Sequence, residues 1–167
     1  NLFPNQGLFY FYNGVGSMEN NEVQAASMAF KQGLKLATKN ARLTSRILGK
    51  AAQISLNEGK IEIGLEQFEK AINLENSHPE VLNNYSLELA SRRLNLEEAI
   101  EISEHLWALD RSSTEYLYTK GFVLFQANQF AEGESLLNSS IANDNFIPNG
   151  KILELYGDIL FKMNKAE

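Results

Sequence analysis

The run SRILGKAAQISLNEGKIEIGLEQFEKAINL, Ser45 to Leu74, decides how the rest of the chain is read. It holds two helical patterns broken once, at Asn57-Glu58-Gly59-Lys60. The small residues Ala51 and Ala52 sit mid-way through the first half, and Gly64, Phe68 and Ala71 punctuate the second at spacings of four and three. Spacings of three and four put side chains on one face of a helix. The stretch is therefore a helix–turn–helix unit, and variants of it recur along the chain.

Working outward to the N-terminus, Gly7 to Glu19 reads as a first helix, dense in aromatics (Phe9, Tyr10, Phe11, Tyr12) with Gly14 at its centre. After a polar break at Asn20-Asn21, a second helix runs from about Glu22 to Leu36, with Ala26, Phe30 and Gly33 on one face. Ala37 to Leu43 reads as a slightly long connection. Leu2-Phe3-Pro4-Asn5-Gln6 looks like the tail of an earlier unit, an apolar pair followed by proline as a stop.

Toward the C-terminus, Asn76-Ser77-His78-Pro79 ends the central unit, with Pro79 suited to a first helical position. Glu80 to Ser91 is a helix, Arg92-Arg93 a basic turn, and Leu96 to Leu109 its partner. Ser112-Ser113-Thr114 supplies N-cap candidates for a helix that reaches about Gln126 and carries Gly121. Phe130 to Ala142 follows the turn Ala127-Asn128-Gln129. A loop with Pro148 leads to a last helix, Gly150 to Met163, centred on Gly157.

The small residues at the middle of successive first helices are Gly14, Ala52, Ser86, Gly121 and Gly157, spaced 38, 34, 35 and 36 apart. A period in this range with two helices per unit is the mark of a helical array. Small residues let helix axes approach to ~8–10 Å, so Gly14, Gly121 and Gly157 are expected at helix crossings, opposite Ala26 and Gly133 in their own units.

These residues resemble the tetratricopeptide-repeat family. Its pattern is a large apolar residue, Leu-Gly three and four positions on and an aromatic three later, then Ala, Phe or Tyr, and Ala in the second helix, with Pro near the end. The first unit matches with Tyr10, Gly14, Ala26, Phe30 and Gly33. The second matches with Leu48, Ala52, Gly59, Gly64, Phe68 and Ala71, and the third with Leu82, Ser86 and Ala99, with one extra residue in its turn. The fourth matches with Leu117, Gly121, Leu124, Gly133 and Leu137, and a fifth, partial unit with Leu153, Gly157 and Leu160. Pro4 falls in phase as the closing proline of an upstream repeat. Asn13, Lys120 and Ser140 depart from the pattern in single units without disturbing the period. The run from Val81 to Met163, with NNYSLELA and ILELYGDILFK, also looks like tetratricopeptide proteins of Bacteroidetes-type bacteria.

The resemblance implies an all-α fold, a right-handed superhelix of about four and a half repeats over approximately 7–40, 41–78, 79–113, 114–149 and 150–167. It further implies a concave face lined by the first helices. Carried over residue by residue, the groove positions are Phe11, Tyr12 and Val15; Arg46, Lys50 and Gln53; Asn83, Asn84 and Leu87; Tyr118, Thr119 and Phe122; and Glu154 and Asp158. Asn83 and Asn84 offer donors and acceptors to an extended peptide, and Arg46 and Lys50 offer charge to an acidic group. Family members that bind chaperone tails hold a terminal carboxylate with a Lys and Asn set. Phe11 and Val15 stand at the corresponding positions of the first unit, so chaperone-tail binding is not expected.

Composition narrows the function further. A net charge of -6 and a pI near 5.1 disfavour a phosphate backbone as partner, so no nucleic acid is expected. Cysteine is absent, which removes disulfides, thiolate catalysis and Cys-ligated metals. No apolar run approaches the ~18–20 residues of a membrane span, so direct membrane insertion is not expected. Neither His78 nor His105 belongs to a spaced metal-ligand set, and Gly14-Val15-Gly16-Ser17 sits inside a helix pattern without the Lys-Ser/Thr of a phosphate loop. Neither catalytic residues, a metal nor a cofactor is expected.

The chain starts at Asn1 rather than Met and is expected to be a piece of a longer protein. The compartment stays open between bacterial cytoplasm and periplasm. The reading is a non-enzymatic module that binds a protein or peptide in its groove. The alternatives are a structural assembly subunit, self-associating through the last helix with Leu153, Tyr156 and Leu160, or an accessory domain of a larger enzyme or secretion or envelope protein.

Overall fold

A computed structural model describes residues 6–74, 77–143 and 146–163. Pro4 and Asn76, assigned above to unit ends, lie outside these residues. Among the described residues the regular structure is nine α-helices: α1 Gln6–Glu19, α2 Val23–Leu36, α3 Ala41–Asn57, α4 Ile61–Ile72, α5 Pro79–Arg92, α6 Leu96–Leu109, α7 Thr114–Gln126, α8 Phe130–Ile141 and α9 Gly150–Lys162. The chain divides into two compact units, 1–82 and 83–167, with α5 contributing its first turn to one and its remainder to the other.

Three of the first helices, α3, α7 and α9, start on side-chain caps. Asn40, Ser113 and Asn149 each accept a hydrogen bond from the backbone N–H three residues on, at Leu43, Tyr116 and Ile152 (3.0, 3.2 and 3.1 Å). The Asn40 cap starts α3 at Ala41. The connection after α2 is thus shorter than the expected Ala37 to Leu43, which overlaps the first turn of α3, and Thr44 in that turn donates its hydroxyl to the Ala37 carbonyl (3.0 Å).

Second helices start instead from a tight turn. Residues Asn21, Gly59, Arg93 and Asn128 have φ of 60°, 78°, 53° and 60°. Behind each, the next residue's N–H reaches back five positions: Glu22 to Ser17, Lys60 to Ser55, Leu94 to Leu89 and Gln129 to Leu124, at 2.8–2.9 Å. This is the Schellman geometry, which closes the last carbonyls of a helix on a left-handed residue. The α5–α6 turn has one more residue between its left-handed Arg93 and the next helix than the others have, and that residue, Asn95, is also left-handed (φ 36°).

In the unit of residues 1–82, α1 packs on α2, α3 on α4, and α1 and α2 on α3. Phe11, Ala26, Phe30, Ala37, Leu43, Ile47 and Ile54 form its core, with Leu8, Val15, Met18 and Leu34 against them. Gly14 lies under the Phe30 ring, where an added Cβ would stand 2.4 Å from a ring carbon. Gly14 thus faces Phe30, one turn along α2 from the expected Ala26. Gly64 meets Leu56 in the same way (2.5 Å) and the Ala52 carbonyl (3.1 Å). Phe68, Ala71 and Ala52 are fully buried.

In the unit of residues 83–167, α6 packs on α7, α7 on α8, and α9 on both α7 and α8. Trp107, Leu117, Leu137, Ile152, Leu155 and Ile159 form its core. Gly121 fits between Leu137 and Leu155, each 3.2 Å from an added Cβ, and its carbonyl lies 4.0 Å from the Cβ position of Gly133. Ser86 is buried and donates its hydroxyl to the Ala99 carbonyl of α6 (3.0 Å). Gly157 departs from expectation: it is exposed, with nothing among the described residues within 4 Å of a Cβ built on it. The reason is the face that α9 buries. Ile152, Leu155 and Ile159 turn to α7 and α8, and Gly157 falls on the opposite side.

Candidate functional site

The first-helix faces of the two units are built differently. In residues 1–82, Phe11 is core: 1% exposed, its ring 6.3 Å from that of Phe30. It stands three residues before Gly14, on the same buried stripe, so it does not line an open face as the family carry-over implied. Tyr12, the next residue, points outward and is 58% exposed. Val15 is half-buried against the core, and Gln53 is half-buried on α3.

Arg46 and Lys50 are not unengaged charges. Glu80, in the first turn of α5, sets its carboxylate 2.7 Å from Lys50 Nζ and 3.8 Å from Arg46. Burial pushes the Glu80 carboxyl up, but the Lys50 hydrogen bond and the charges of Lys50, Arg46 and His78 together hold it below its ordinary value. The Arg46 guanidinium lies over the Phe11 ring at 4.3 Å. His78 precedes α5; its backbone N–H donates to Ser45 Oγ, and its Nδ1 accepts from the Glu80 N–H, both at 3.3 Å. Burial, then Arg46 and Arg42, push the His78 imidazole below its ordinary value, so it is neutral at neutral pH.

In residues 83–167, Asn83 is fully buried, which removes it from the open face. Its Nδ2 donates to Glu115 Oε1 on α7 (2.8 Å), and its Oδ1 has no partner among the described residues. Thr119, one turn after Glu115, is likewise buried, and its hydroxyl has no partner among the described residues. Asn84 and Leu87 are half-buried, and Glu154 and Asp158 exposed. Tyr118 and Phe122 stack, with ring centroids 6.0 Å apart and planes at 13°, and Lys151 Nζ sits 6.0 Å above Tyr118. Burial and the Glu154 charge raise the Tyr118 phenol, which stays protonated and able to donate.

The sequence reading missed Glu80 and Glu115, and the signal for them was the period. Ser45–His78, Asn83–Glu115 and Arg93–Gln126 are hydrogen-bonded pairs 32 or 33 residues apart. Residues about one repeat apart stand on equivalent positions of successive helices, so these polar residues meet partners one period away. Among the described residues no three of His, Cys, Asp and Glu gather as metal ligands, and no helix is long and apolar enough to cross a membrane.

No protein-family model and no curated protein matches the sequence. Solved structures do. The chain superposes on the PilF protein of Pseudomonas aeruginosa with a TM-score of 0.78 at 18% identity, covering 96% of this chain and 70% of that one. On a tetratricopeptide repeat protein from Parabacteroides merdae the values are 0.73 and 20%, covering 97% of this chain and 60% of that one. MamA gives 0.68 at 16%, covering 97% and 85%. At these identities the likeness is one of fold: the chain has the all-α helical-repeat fold of the tetratricopeptide proteins.

Proposed function

We propose that this chain is a non-catalytic protein-interaction module that binds a protein or peptide partner through the faces of its first helices. The observation that carries this reading is the stacked Tyr118–Phe122 pair on α7. Two large rings, half-buried and left at the surface, are the kind of preformed anchor on which binding energy concentrates. Asn84 and Tyr12 add a carboxamide and a further ring that the cores do not consume.

The test is site-specific photo-crosslinking in the host cell. A benzoylphenylalanine at Tyr118 should trap a discrete protein adduct, lost when Asn84→Ala is added. The same probe at Ala131, exposed on α8, should trap none. Equal labelling at both positions would defeat the reading.

A second reading, assembly through α9, is favoured by one feature. Leu153 and Phe161, 50% and 69% exposed, share a face with the open Gly157 at spacings of four. Light scattering decides it: a complex that dissociates in Leu153→Glu supports assembly, and a concentration-independent monomer rejects it.

A further inference from the structure

Residues 1–82 hold a cavity of about 270 Å³ lined by Leu8, Asn40, Arg42, Leu43, Arg46 and His78. Two guanidiniums, an imidazole and a carboxamide meet there beside two leucines, in a chain whose net charge is -6. The nearby acid, Glu80, is committed to Lys50 at 2.7 Å.

Arg46 is charged and held in place by the Phe11 ring and a long ion pair to Glu80, yet its hydrogen-bond donors are unused among the described residues. Its plane is fixed over Phe11, its nearest carboxylate oxygen is 3.8 Å away, and its buried Nε has no acceptor. Among the described residues no group accepts a hydrogen bond from it. A guanidinium presents five N–H donors in a fixed fork that matches a carboxylate, and one already held in place loses little freedom on binding. Arg42, exposed on the first turn of α3, forms no ion pair among the described residues.

We propose that this cavity is a subsite for a side-chain carboxylate of an acidic peptide, held between Arg42 and Arg46 with its methylenes against Leu8 and Leu43. The apolar wall favours a carboxylate on a carbon stem over inorganic phosphate, which would leave both leucines unmatched. The inference rests on the interaction-module reading but uses a different unit from the Tyr118 test, so either can fail alone.

The groups facing His78 are Arg42, Arg46, Glu80 and the Ser45 hydroxyl. A carboxylate entering the cavity opposes the two arginines and draws the imidazole's titration upward, which makes His78 a reporter. The experiment is an NMR titration of the His78 ring in the whole chain. The probes are the peptide acetyl-Leu-Glu-Leu-Glu-Leu-amide, its Gln-for-Glu counterpart, and inorganic phosphate at equal concentration.

The Glu peptide should move the His78 signals and raise its titration midpoint, and the Gln peptide should not. Added salt should weaken the response. Arg42→Gln, an exposed change, should reduce the apparent affinity at least tenfold, and Arg42→Lys should reduce it less. Equal responses to the two peptides, or a response retained in Arg42→Gln, would overturn the proposal. A phosphate response as large as that to the Glu peptide would overturn the carboxylate assignment in favour of a general anion site.

Discussion

The two units close the same kind of helix crossing by different means. In residues 1–82, Gly14 of α1 lies beneath a phenylalanine ring and Gly64 of α4 against Leu56, each with no room for a methyl group, while Ala52 of α3 carries one, fully buried. In residues 83–167 the α5–α6 crossing carries Ser86, whose hydroxyl bonds the facing Ala99 carbonyl, and the atoms nearest Gly121 are leucine tips. The first-helix position shared by Gly14, Ser86 and Gly121 therefore answers to two constraints, close steric fit or polar pairing, and tolerance to substitution follows from which one applies.

The sharpest way to break this comparison is Gly14→Ala. A Cβ 2.4 Å from the Phe30 ring cannot be accommodated without moving a fully buried aromatic, so a loss of about 2–3 kcal/mol is expected in urea unfolding. Gly121→Ala meets two flexible leucine methyls at 3.2 Å, and the helix-propensity gain of alanine offsets much of that contact. Its cost should fall below ~1 kcal/mol, while Gly121→Leu, which needs new volume, should cost ~1–3 kcal/mol. Equal losses for alanine at Gly14 and Gly121 would show that ring and leucine tips yield alike.

Ser86→Ala comes next. It removes one buried hydrogen bond between α5 and α6 and should cost about 1 kcal/mol by thermal or urea unfolding. An unchanged midpoint would mean that the hydroxyl is there for size alone. Gly157→Ala should go the other way. With no described residue near its Cβ, only the backbone gain remains, and a stabilisation of about 0.5–1 kcal/mol is expected. A loss at this position would place a packed neighbour where the structure shows open space.

The period and the helix order were legible in the sequence because both rest on local rules. Small residues returned every 34–38 positions, and the turn after α3 carried a glycine where the backbone is left-handed (φ 78°). Three other turns use Asn21, Arg93 and Asn128 for the same conformation, and only the asparagines carry a propensity that hints at it.

The open faces were less legible, for two physical reasons. Phe11 and Tyr12 are neighbours of similar character, and only the rotational phase of α1, set by Gly14 meeting Phe30, buries the first and exposes the second. The charges of Arg46 and Lys50 were legible, but their partner was not. Glu80 stands a full repeat away, and the register between successive repeats assigns it to them.

That register also sets the smallest expected effect, a pH dependence seated in residues 1–82. His78 is held below its ordinary value of 6.5 by burial and by Arg46 and Arg42, so the unfolded chain takes up a proton there that the folded chain resists. The unfolded state then binds more protons, and stability rises with pH in that window. The contribution is complete above pH 6.5 and is lost as pH falls through the folded value. Glu80, held below its ordinary 4.5, adds a second loss at lower pH with the same sign. Urea midpoints measured at pH 7.5 and 5.5 should therefore differ, and His78→Asn should remove most of the difference while keeping a side-chain acceptor for the Glu80 N–H. The same pair of midpoints in Arg42→Gln separates the causes. One of the two arginine fields is gone and burial remains, so the dependence should shrink without vanishing.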